Sequence, residues 1–498
     1  MGELSYLKSG TDIRGTAVEK DGNPIDLTDE RLMSITASFV AFLKKKLKKD
    51  DLSVTVGYDS RISSERICKT VEKTLCSLNI KVYDCGLSST PSMFMSIINF
   101  GVDASVEITA SHLPSVMNGL KFFTRSGGFS GSDIKEILEY AEENPYKATE
   151  FGTTPEKLDN MEKYCENLRD MIKKGVCAKN YDKPLDNLKI VVDAGNGVGA
   201  FYAEKVLKVL GADIDGSRYL EPDGNFPNHI PNPENSVAMK SICDAVKESG
   251  ADLGIIFDTD CDRAACVDKN ANEINRNKLV ALASYIALKD RKGGVIVTDS
   301  VTSDGLADFI ENTLGGVHHR FKRGYKNVID EAIRLENEEG KTAPLAIETS
   351  GHAAFSENYY LDDGAYLVTK IIIETAKLSK EGKGLEDVLA NLKTPLEEKE
   401  IRYKINLEDF KDYGLSVIKD FEILCRNTEG VSVSPINYEG VRVNFCDNLG
   451  KGWQLLRMSV HEPLLVLNCE SDKNGGVEQM LSFFDSFISK YSDVEIKN

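Results

Sequence analysis

No stretch of the 498-residue chain is apolar for long enough to cross a bilayer. The best run, 280–288, falls well short of the roughly 18 residues a membrane helix needs. There is no CxxC pair, and the 11 cysteines are an odd number scattered along the chain. Several, such as Cys68, Cys76 and Cys243, sit in apolar stretches with helical spacing. Reduced, buried thiols of a cytosolic protein are expected, not a disulfide framework. No short repeat recurs, so the chain is not a solenoid. No GxSxG elbow is present, which counts against an α/β-hydrolase. The N-terminus shows no secretory leader pattern, and its Met1-Gly2 start has Tyr6 where a myristoylation signal wants Ser or Thr. A cytoplasmic protein is expected. Basic residues are outnumbered 61 to 79, for a net charge of −18. That field repels nucleic acid and anionic lipid, so neither is an expected partner, and an anionic substrate needs a local basic cluster to capture it.

What is present is an ordinary globular balance, 41% hydrophobic and 28% charged residues, in a length that suits three or four domains. Short β-branched runs alternate with amphipathic stretches. Strands are predicted at 52–56, 81–84, 188–192, 252–257 and 295–298, and helices at 65–78, 200–210, 239–249 and 304–314. That alternation means βαβ units around mostly parallel sheets. Breaks are suggested at 143–155, 269–278 and 380–399. The last hundred residues change character: predicted strands at 431–433, 440–445 and 454–456 form a meander flanked by helices at 407–424 and 476–491, an α+β domain.

Five clusters carry chemistry. Asp258-Thr259-Asp260-Cys261-Asp262-Arg263 follows an apolar strand, and carboxylates at every second position of an extended segment share one side. They repel unless a cation sits between them, and oxygen-only ligands suit Mg²⁺. An EF-hand is excluded, because the sixth residue is Arg263, not Gly, and the twelfth is Lys269, not Glu. A solvated acidic turn is the bland alternative. Thr109-Ala110-Ser111-His112-Leu113-Pro114, running on to Asn118-Gly119-Leu120-Lys121, offers a nucleophile or a polar turn. Glu348-Thr349-Ser350-Gly351-His352 suits sugar hydroxyls or a helix cap. In Arg457-Met458-Ser459-Val460-His461-Glu462-Pro463, Arg457 and Ser459 can grip a phosphate, unless Arg457 is a surface residue at a strand end. Arg320-Phe321-Lys322-Arg323-Gly324-Tyr325-Lys326 is a candidate anion funnel or a solvated face.

A reading of a different class competes. Gly195-Asn196-Gly197-Val198-Gly199-Ala200 fits GxGxxA between a strand and a helix, with Asp213 and Asp215 spaced to meet a ribose hydroxyl. It would make the chain a dinucleotide-dependent oxidoreductase, although a GxG turn also arises for packing reasons alone. A non-catalytic sugar-phosphate binder is a further alternative, opposed by the intact Ser111 and the three aspartates.

Taken in order, the clusters resemble the α-D-phosphohexomutase family, the phosphoglucomutases and phosphomannomutases, over essentially the whole chain. Gly10-Thr11-Asp12-Ile13-Arg14-Gly15 matches the family's opening loop, and Val56-Gly57-Tyr58-Asp59-Ser60-Arg61 its VGxDxR segment. Thr109 to Lys121 is similar to the phosphoserine loop, with Leu113 where Asn is usual. Asp258 to Arg263 is similar to the metal loop, and Ile347 to His352 to the sugar loop. The phosphate loop departs most: Val460 and His461 replace a small residue and Thr, and Leu465 stands where an Arg is usual.

The resemblance implies three three-layer α/β domains, 1–153, 154–273 and 274–392, and a smaller C-terminal α+β domain, 393–498, around a central cleft. It implies a phosphohexomutase acting on glucose or mannose phosphates, with phosphoglucosamine mutase or glucose-1,6-bisphosphate synthase as alternatives on the same fold. Ser111 would carry the phosphoryl group, and a hexose 1,6-bisphosphate would be both intermediate and activator. Mg²⁺ would sit on Asp258, Asp260, Asp262 and phosphorylated Ser111. His112 and Lys121 would be the acid and base, with Arg14 and Arg263 ordering and neutralising the corner. Glu348, Ser350 and His352 would hold the sugar, and Arg323, Lys326, Arg457, Ser459 and His461 the second phosphate. The partners expected are hexose phosphates alone, in a monomer or homodimer.

Overall fold

A computed structural model describes residues 4–20, 22, 24–149, 152–459 and 462–497. The chain forms two compact units, Met1–Ile286 with Ser350–Val388, and Ala287–Thr349 with Leu389–Asn498. Residues 350–388 join the first unit because helix Gly364–Lys380 packs along helix Asn160–Val176, with Gly175 set against Ile373.

In the first unit the larger sheet runs Lys8–Ser9, Asp12–Thr16, Met117–Thr124, Ala104–Ile108, Ser53–Tyr58, Lys81–Leu87 and Glu156–Lys157. Helices Asp29–Leu47, Ser64–Ser77 and Gly131–Glu143 cover one face. Their apolar stripes, including Ile35, Phe39, Leu43, Ile67, Val71, Ile134 and Leu138, bury against Val54, Val56, Val106 and Phe122 of the sheet. Helix Thr90–Phe100 covers the other face, started by a Ser89–Ser92 capping box with proline in its first turn. A second sheet runs Glu273–Ile274, Ala264–Asp268, Leu253–Phe257 and Ile190–Asp193.

The sheets are mixed, with parallel strands at the centre of the first. Ala104–Ile108 pairs parallel with Ser53–Tyr58 but antiparallel with Met117–Thr124, and Leu253–Phe257 pairs antiparallel with Ala264–Asp268. The reason is length. The chain between these antiparallel partners is too short for a parallel crossover, which takes about a dozen residues or more. The two candidate loops, 109–116 and 258–263, are these short returns.

In the second unit Val317–Arg320, Val295–Thr298 and Leu345–Ile347 are parallel neighbours. A separate antiparallel sheet runs Val431–Val433, Val441–Phe445, Gly452–Met458, Leu464–Ser471, Glu397–Ile405 and Val494–Ile496. Helices Phe410–Arg426 and Gly476–Ile488 pack on it around Phe421, Phe484 and Phe487.

Three local expectations change. The break at 380–399 already contains the start of strand Glu397–Ile405, whose charged residues hide it; only alternate positions such as Tyr403 and Ile405 reach the core. The break at 269–278 is a turn leading to strand Glu273–Ile274. The helices predicted at 200–210 and 304–314 are wound as π-helix over Tyr202–Leu207 and Phe309–Thr313, a distinction that apolar spacing over so few turns does not make.

The stack of Phe39 on Phe122, at 4.4 Å between ring centroids with Phe129 alongside, anchors the larger core. Phe39→Ala is expected to destabilise the first unit by about 3–5 kcal/mol. Urea unfolding followed by circular dichroism checks this; a midpoint unchanged from wild type would place the core elsewhere.

Candidate active site

Strand Ala104–Ile108 ends in a loop held from below. Thr109 donates its hydroxyl to Asp59 (2.8 Å) and accepts from the Ser111 amide (2.9 Å). Ser111 itself takes φ +52°, a left-handed conformation uncommon for a side chain with a Cβ. The loop is clamped by Arg61, whose side chain is fully buried. Its Nε donates to Asp59 at 3.1 Å. Its two Nη groups donate to the carbonyls of Pro114 (2.8 Å), Met117 (3.0 Å), Leu113 (2.7 Å) and Ser111. A planar guanidinium is the one side chain able to gather so many acceptors at once.

The second loop meets Ser111. Asp258, Asp260 and Asp262 are buried, each placing one oxygen within 4.8 Å of the others'. Asp258 accepts from the Ser111 hydroxyl (2.9 Å) and from Arg263 Nε (3.1 Å). Asp260 accepts from Thr90 (2.5 Å) and from Lys121 Nζ (2.9 Å), and Asp262 from Lys121 Nζ (2.5 Å). Burial, then Asp262 and Asp260, pushes the Asp258 carboxyl well above the usual range. For Asp262, burial is outweighed by Lys121, His352 and Arg263, and the carboxyl is held low. Asp260 Oδ1 and Asp262 Oδ1 are buried and have no hydrogen-bond partner among the described residues. Bare oxygens of a three-carboxylate set fit a hard divalent cation.

His112 turns Nδ1 to the Ser111 hydroxyl (3.3 Å) and to Arg263 Nη2 (2.5 Å), which also reaches Ser111 Oγ at 3.2 Å. Burial, then Arg263 and Arg14, brings the His112 pKa down to about 2, so the ring is neutral. Arg14 pairs with Asp12 at 2.7 Å. His352 is hydrogen-bonded to Asp362 and bridges to Arg263 through its backbone. Burial opposes its charge, but Asp362 and Asp262 raise its pKa to about 9. It is therefore tied to the 258–263 loop, beyond the sugar-binding part expected of it. Ser350 is buried nearby in sequence.

The second unit holds its own cluster. Asp299 is fully buried, accepts from the Thr349 hydroxyl (2.8 Å) and faces Arg323 at 3.5 Å. Arg457 faces Glu439 at 3.9 Å, and burial, then Arg323, lowers its pKa. Arg457 Nε has no hydrogen-bond partner among the described residues. Glu348 accepts from the Gly324 amide (2.7 Å), and the Ser459 hydroxyl accepts from the Glu462 amide (3.3 Å). The basic stretch 320–326 meets several partners. Arg320 pairs with Asp304 (2.9 Å) and Lys326 with Asp330 one helical turn on (2.5 Å), and Arg323 stands near Arg457. His461 lies outside the described residues.

The GxGxxA turn has a different use from the one a dinucleotide would need. A Cβ on Gly197 would lie 2.6 Å from the Thr259 carbonyl, and the Val198 amide donates to that carbonyl at 2.9 Å. The close approach is to the 258–263 loop, where a pyrophosphate would have to lie. Asp213 pairs with Lys189 at 3.2 Å. Thr90, Asp299 and Asp362 escaped the sequence reading, since each stands at a strand end or helix start where a cap is the ordinary explanation. Asp59 and Arg61 were visible only through a family motif.

Known proteins resemble this chain in sequence and in fold. Models of the phosphoglucomutase/phosphomannomutase α/β/α domains I, II and III match residues 7–147, 162–272 and 275–395. A phosphomannomutase of Vibrio cholerae is 30% identical over 95% of this chain and 96% of its own length. A phosphomannomutase/phosphoglucomutase of Pseudomonas syringae is 27% identical over 93% of each. A crystal structure of a phosphoglucomutase/phosphomannomutase family protein from Burkholderia thailandensis has the same fold, with a TM-score of 0.81 over the whole of both chains at 24% identity.

The His352 imidazolium carries a pH consequence. Its pKa rises from 6.5 to about 9 on folding, so the charged pair stabilises fully below about pH 6.5 and is lost as pH rises through about 9. The window spans on the order of 3 kcal/mol. With chelator present, the melting temperature of wild type should fall between these values, and His352→Gln should flatten the curve. Parallel curves would place the charge elsewhere.

Proposed function

The chain belongs to the phosphoglucomutase/phosphomannomutase family and is an isomerase that moves phosphate within a sugar, and from that premise we propose that it interconverts hexose 1-phosphates and hexose 6-phosphates of glucose and/or mannose through phosphorylated Ser111 and a 1,6-bisphosphate. The observation that carries this is the Ser111 hydroxyl, placed 2.9 Å from Asp258 and 3.2 Å from Arg263, beside two aspartates that each keep a buried oxygen without a hydrogen-bond partner among the described residues.

Asp258, Asp260 and Asp262 would hold Mg²⁺ together with an oxygen of the phosphoserine, and the ion when bound supplies neutralisation of charge on the transferring phosphoryl group. The sugar hydroxyl attacks phosphorus; its O–P bond forms as the Ser111 Oγ–P bond breaks. The proton of the hydroxyl passes to His112, whose pKa the negative phosphoryl group on Ser111 would raise from the low value that burial and its arginine neighbours impose, and the Lys121 ammonium can supply one to the departing oxygen. Arg263 offsets the charge returning to Oγ, and Arg14 holds the same corner. Glu348, Ser350 and His352 bind sugar hydroxyls. Arg323, Lys326, Arg457, Ser459 and His461 bind the phosphate that is not reacting. The bisphosphate then turns over and returns its other phosphate to Ser111. The same proposal includes a hexose 1,6-bisphosphate activator, the four domains at 1–153, 154–273, 274–392 and 393–498, and a cytoplasmic location, supported by 11 free thiols.

Incubation with glucose 1,6-bisphosphate should add one phosphate at Ser111, read by peptide mass. Ser111→Ala should lose about 10³-fold or more of mutase turnover. Chelator should stop wild type, and Mg²⁺ should restore it. A Ser111→Ala enzyme at wild-type rate sinks the phosphoenzyme route.

Arg457 contributes a charge-assisted contact worth about 1.5–3 kcal/mol. Arg457→Ala is expected to cost about 10–150-fold in kcat/KM for glucose 1-phosphate, chiefly through KM. Unchanged steady-state constants would assign the second phosphate to other residues.

A further inference from the structure

Between Leu207 and Ser236 the first unit forms no helix and no extended strand. An irregular stretch of that length inside a compact domain is usually functional. It is also largely at the surface: Asn225 and Asn228 are exposed, Ile230 is 54% exposed, and Phe226 is half-buried. Core packing therefore does not explain it.

Both of its ends are tied to the turn that backs the metal loop. Asn196, at φ +61°, donates its side-chain amide to the Glu221 carbonyl (2.8 Å), accepts from Asn228 (2.8 Å), and its own carbonyl accepts from the Asp223 amide (2.9 Å). His229 is buried, with Nε2 on both oxygens of Asp193 at 3.0 and 3.1 Å, and Asp193 also accepts from Ser241 (2.6 Å).

Its middle reaches the clamp under Ser111. A Cβ on Gly224 would lie 2.4 Å from the Ile62 amide nitrogen, 2.6 Å from the Ser60 carbonyl oxygen and 2.7 Å from the Arg61 carbonyl carbon. These are backbone atoms that cannot swing away, so only glycine allows the approach. Phe226 follows in the left-handed region, φ +49°, a costly conformation for an aromatic residue. That conformation sets its ring 5.3 Å from the Arg61 guanidinium carbon. Further on, Asn232 accepts from Arg263 Nη1 at 3.5 Å.

We propose that residues 221–234 are a positioning strap that holds Arg61 and Arg263 in fixed relation on the two sides of Ser111, with Gly224 and Phe226 as its working residues. One arginine carries the carbonyls of the Ser111 loop and the other touches the Ser111 hydroxyl, so a strap touching both keeps the nucleophile aligned with the metal loop. None of these strap residues reaches the reacting atoms; they act through the arginines. The inference rests on the phosphotransfer reading for its catalytic consequence, but its structural content stands without it.

The test uses the full chain as Gly224→Ala, Phe226→Ala and Phe226→Tyr. Hydrogen exchange of the amides at 111–117 should speed up about tenfold or more in the two alanine variants, while the central strands keep wild-type protection. Turnover of glucose 1-phosphate should drop about tenfold or more in both, the size expected for a small misplacement of a reacting group, with KM within about twofold. The melting temperature should be unchanged in Phe226→Ala, whereas Gly224→Ala, which forces a Cβ against backbone, should also lower it. Phe226→Tyr keeps the ring and should restore both readouts. Unchanged exchange at 111–117 overturns the strap. So does exchange that rises uniformly with a lower melting temperature in Phe226→Ala, since that is a general loss of stability. If Gly224→Ala does not fold, the two Phe226 variants decide alone. Wild type without mutase turnover would refute the functional reading, and the exchange measurement would still decide the strap.

Discussion

Three carboxylates buried within 4.8 Å of one another are the constraint around which the first unit is arranged. Unit charges so close in a poorly polarisable interior repel strongly, and each also loses its hydration. The fold answers with cations from separate parts of the chain: Lys121 on two of the aspartates, Arg263 on the third, and the His352 imidazolium beside Asp262. The loop itself is gripped through its backbone. Thr90 donates its amide to the Asp260 carbonyl, Val198 to that of Thr259 and Gly364 to that of Cys261. These contacts explain why such distant segments converge on six residues, and why glycine stands at 197.

The same constraint organises the Ser111 loop. Ser111 is held in a strained left-handed conformation, and strain persists only where the surroundings over-determine it. Arg61 supplies that, buried with Asp59 and occupied by four loop carbonyls. A buried ion pair is weak evidence for stability, because desolvation consumes most of the attraction. Its value here is geometric: a rigid fork with fixed donor directions sets the loop's shape.

The second unit applies arginine chemistry to a different end. Arg442 lies 3.6 Å from the ring centroid of Trp453, the single tryptophan, and donates to the carbonyls of Ser300 and Thr302 and to Asp304. That guanidinium joins the antiparallel sheet to the parallel one. Arg323 and Arg457, by contrast, repel each other beside a buried Asp299, and the buried Arg457 Nε has no hydrogen-bond partner among the described residues. Like charges brought together without full compensation are a poor way to hold a fold and a good way to attract an anion.

Taken alone, the sequence determined the α/β class and picked out the loops 109–121 and 258–263 that the fold brings together. Period-two carboxylates, a Ser-His pair after a strand and an Arg-x-Ser are local patterns, and local patterns follow from backbone geometry. Strand Glu397–Ile405 was illegible because its core contacts come from alternate residues in a charged run. The role of the Gly195–Ala200 turn was misleading for a related reason. A GxG turn reports that something approaches closely, and only packing reveals that the visitor is Thr259. The tertiary structure alone decided which charges are partnered: that Arg320 pairs with Asp304, that His352 is hydrogen-bonded to Asp362, and that Lys121 bridges Asp260 and Asp262. Residue type states what a side chain can bind. Its actual partner depends on burial and on distances of a few ångströms between segments that can be far apart in the chain, as Lys121 and Asp260 are, and no spacing along the chain encodes those.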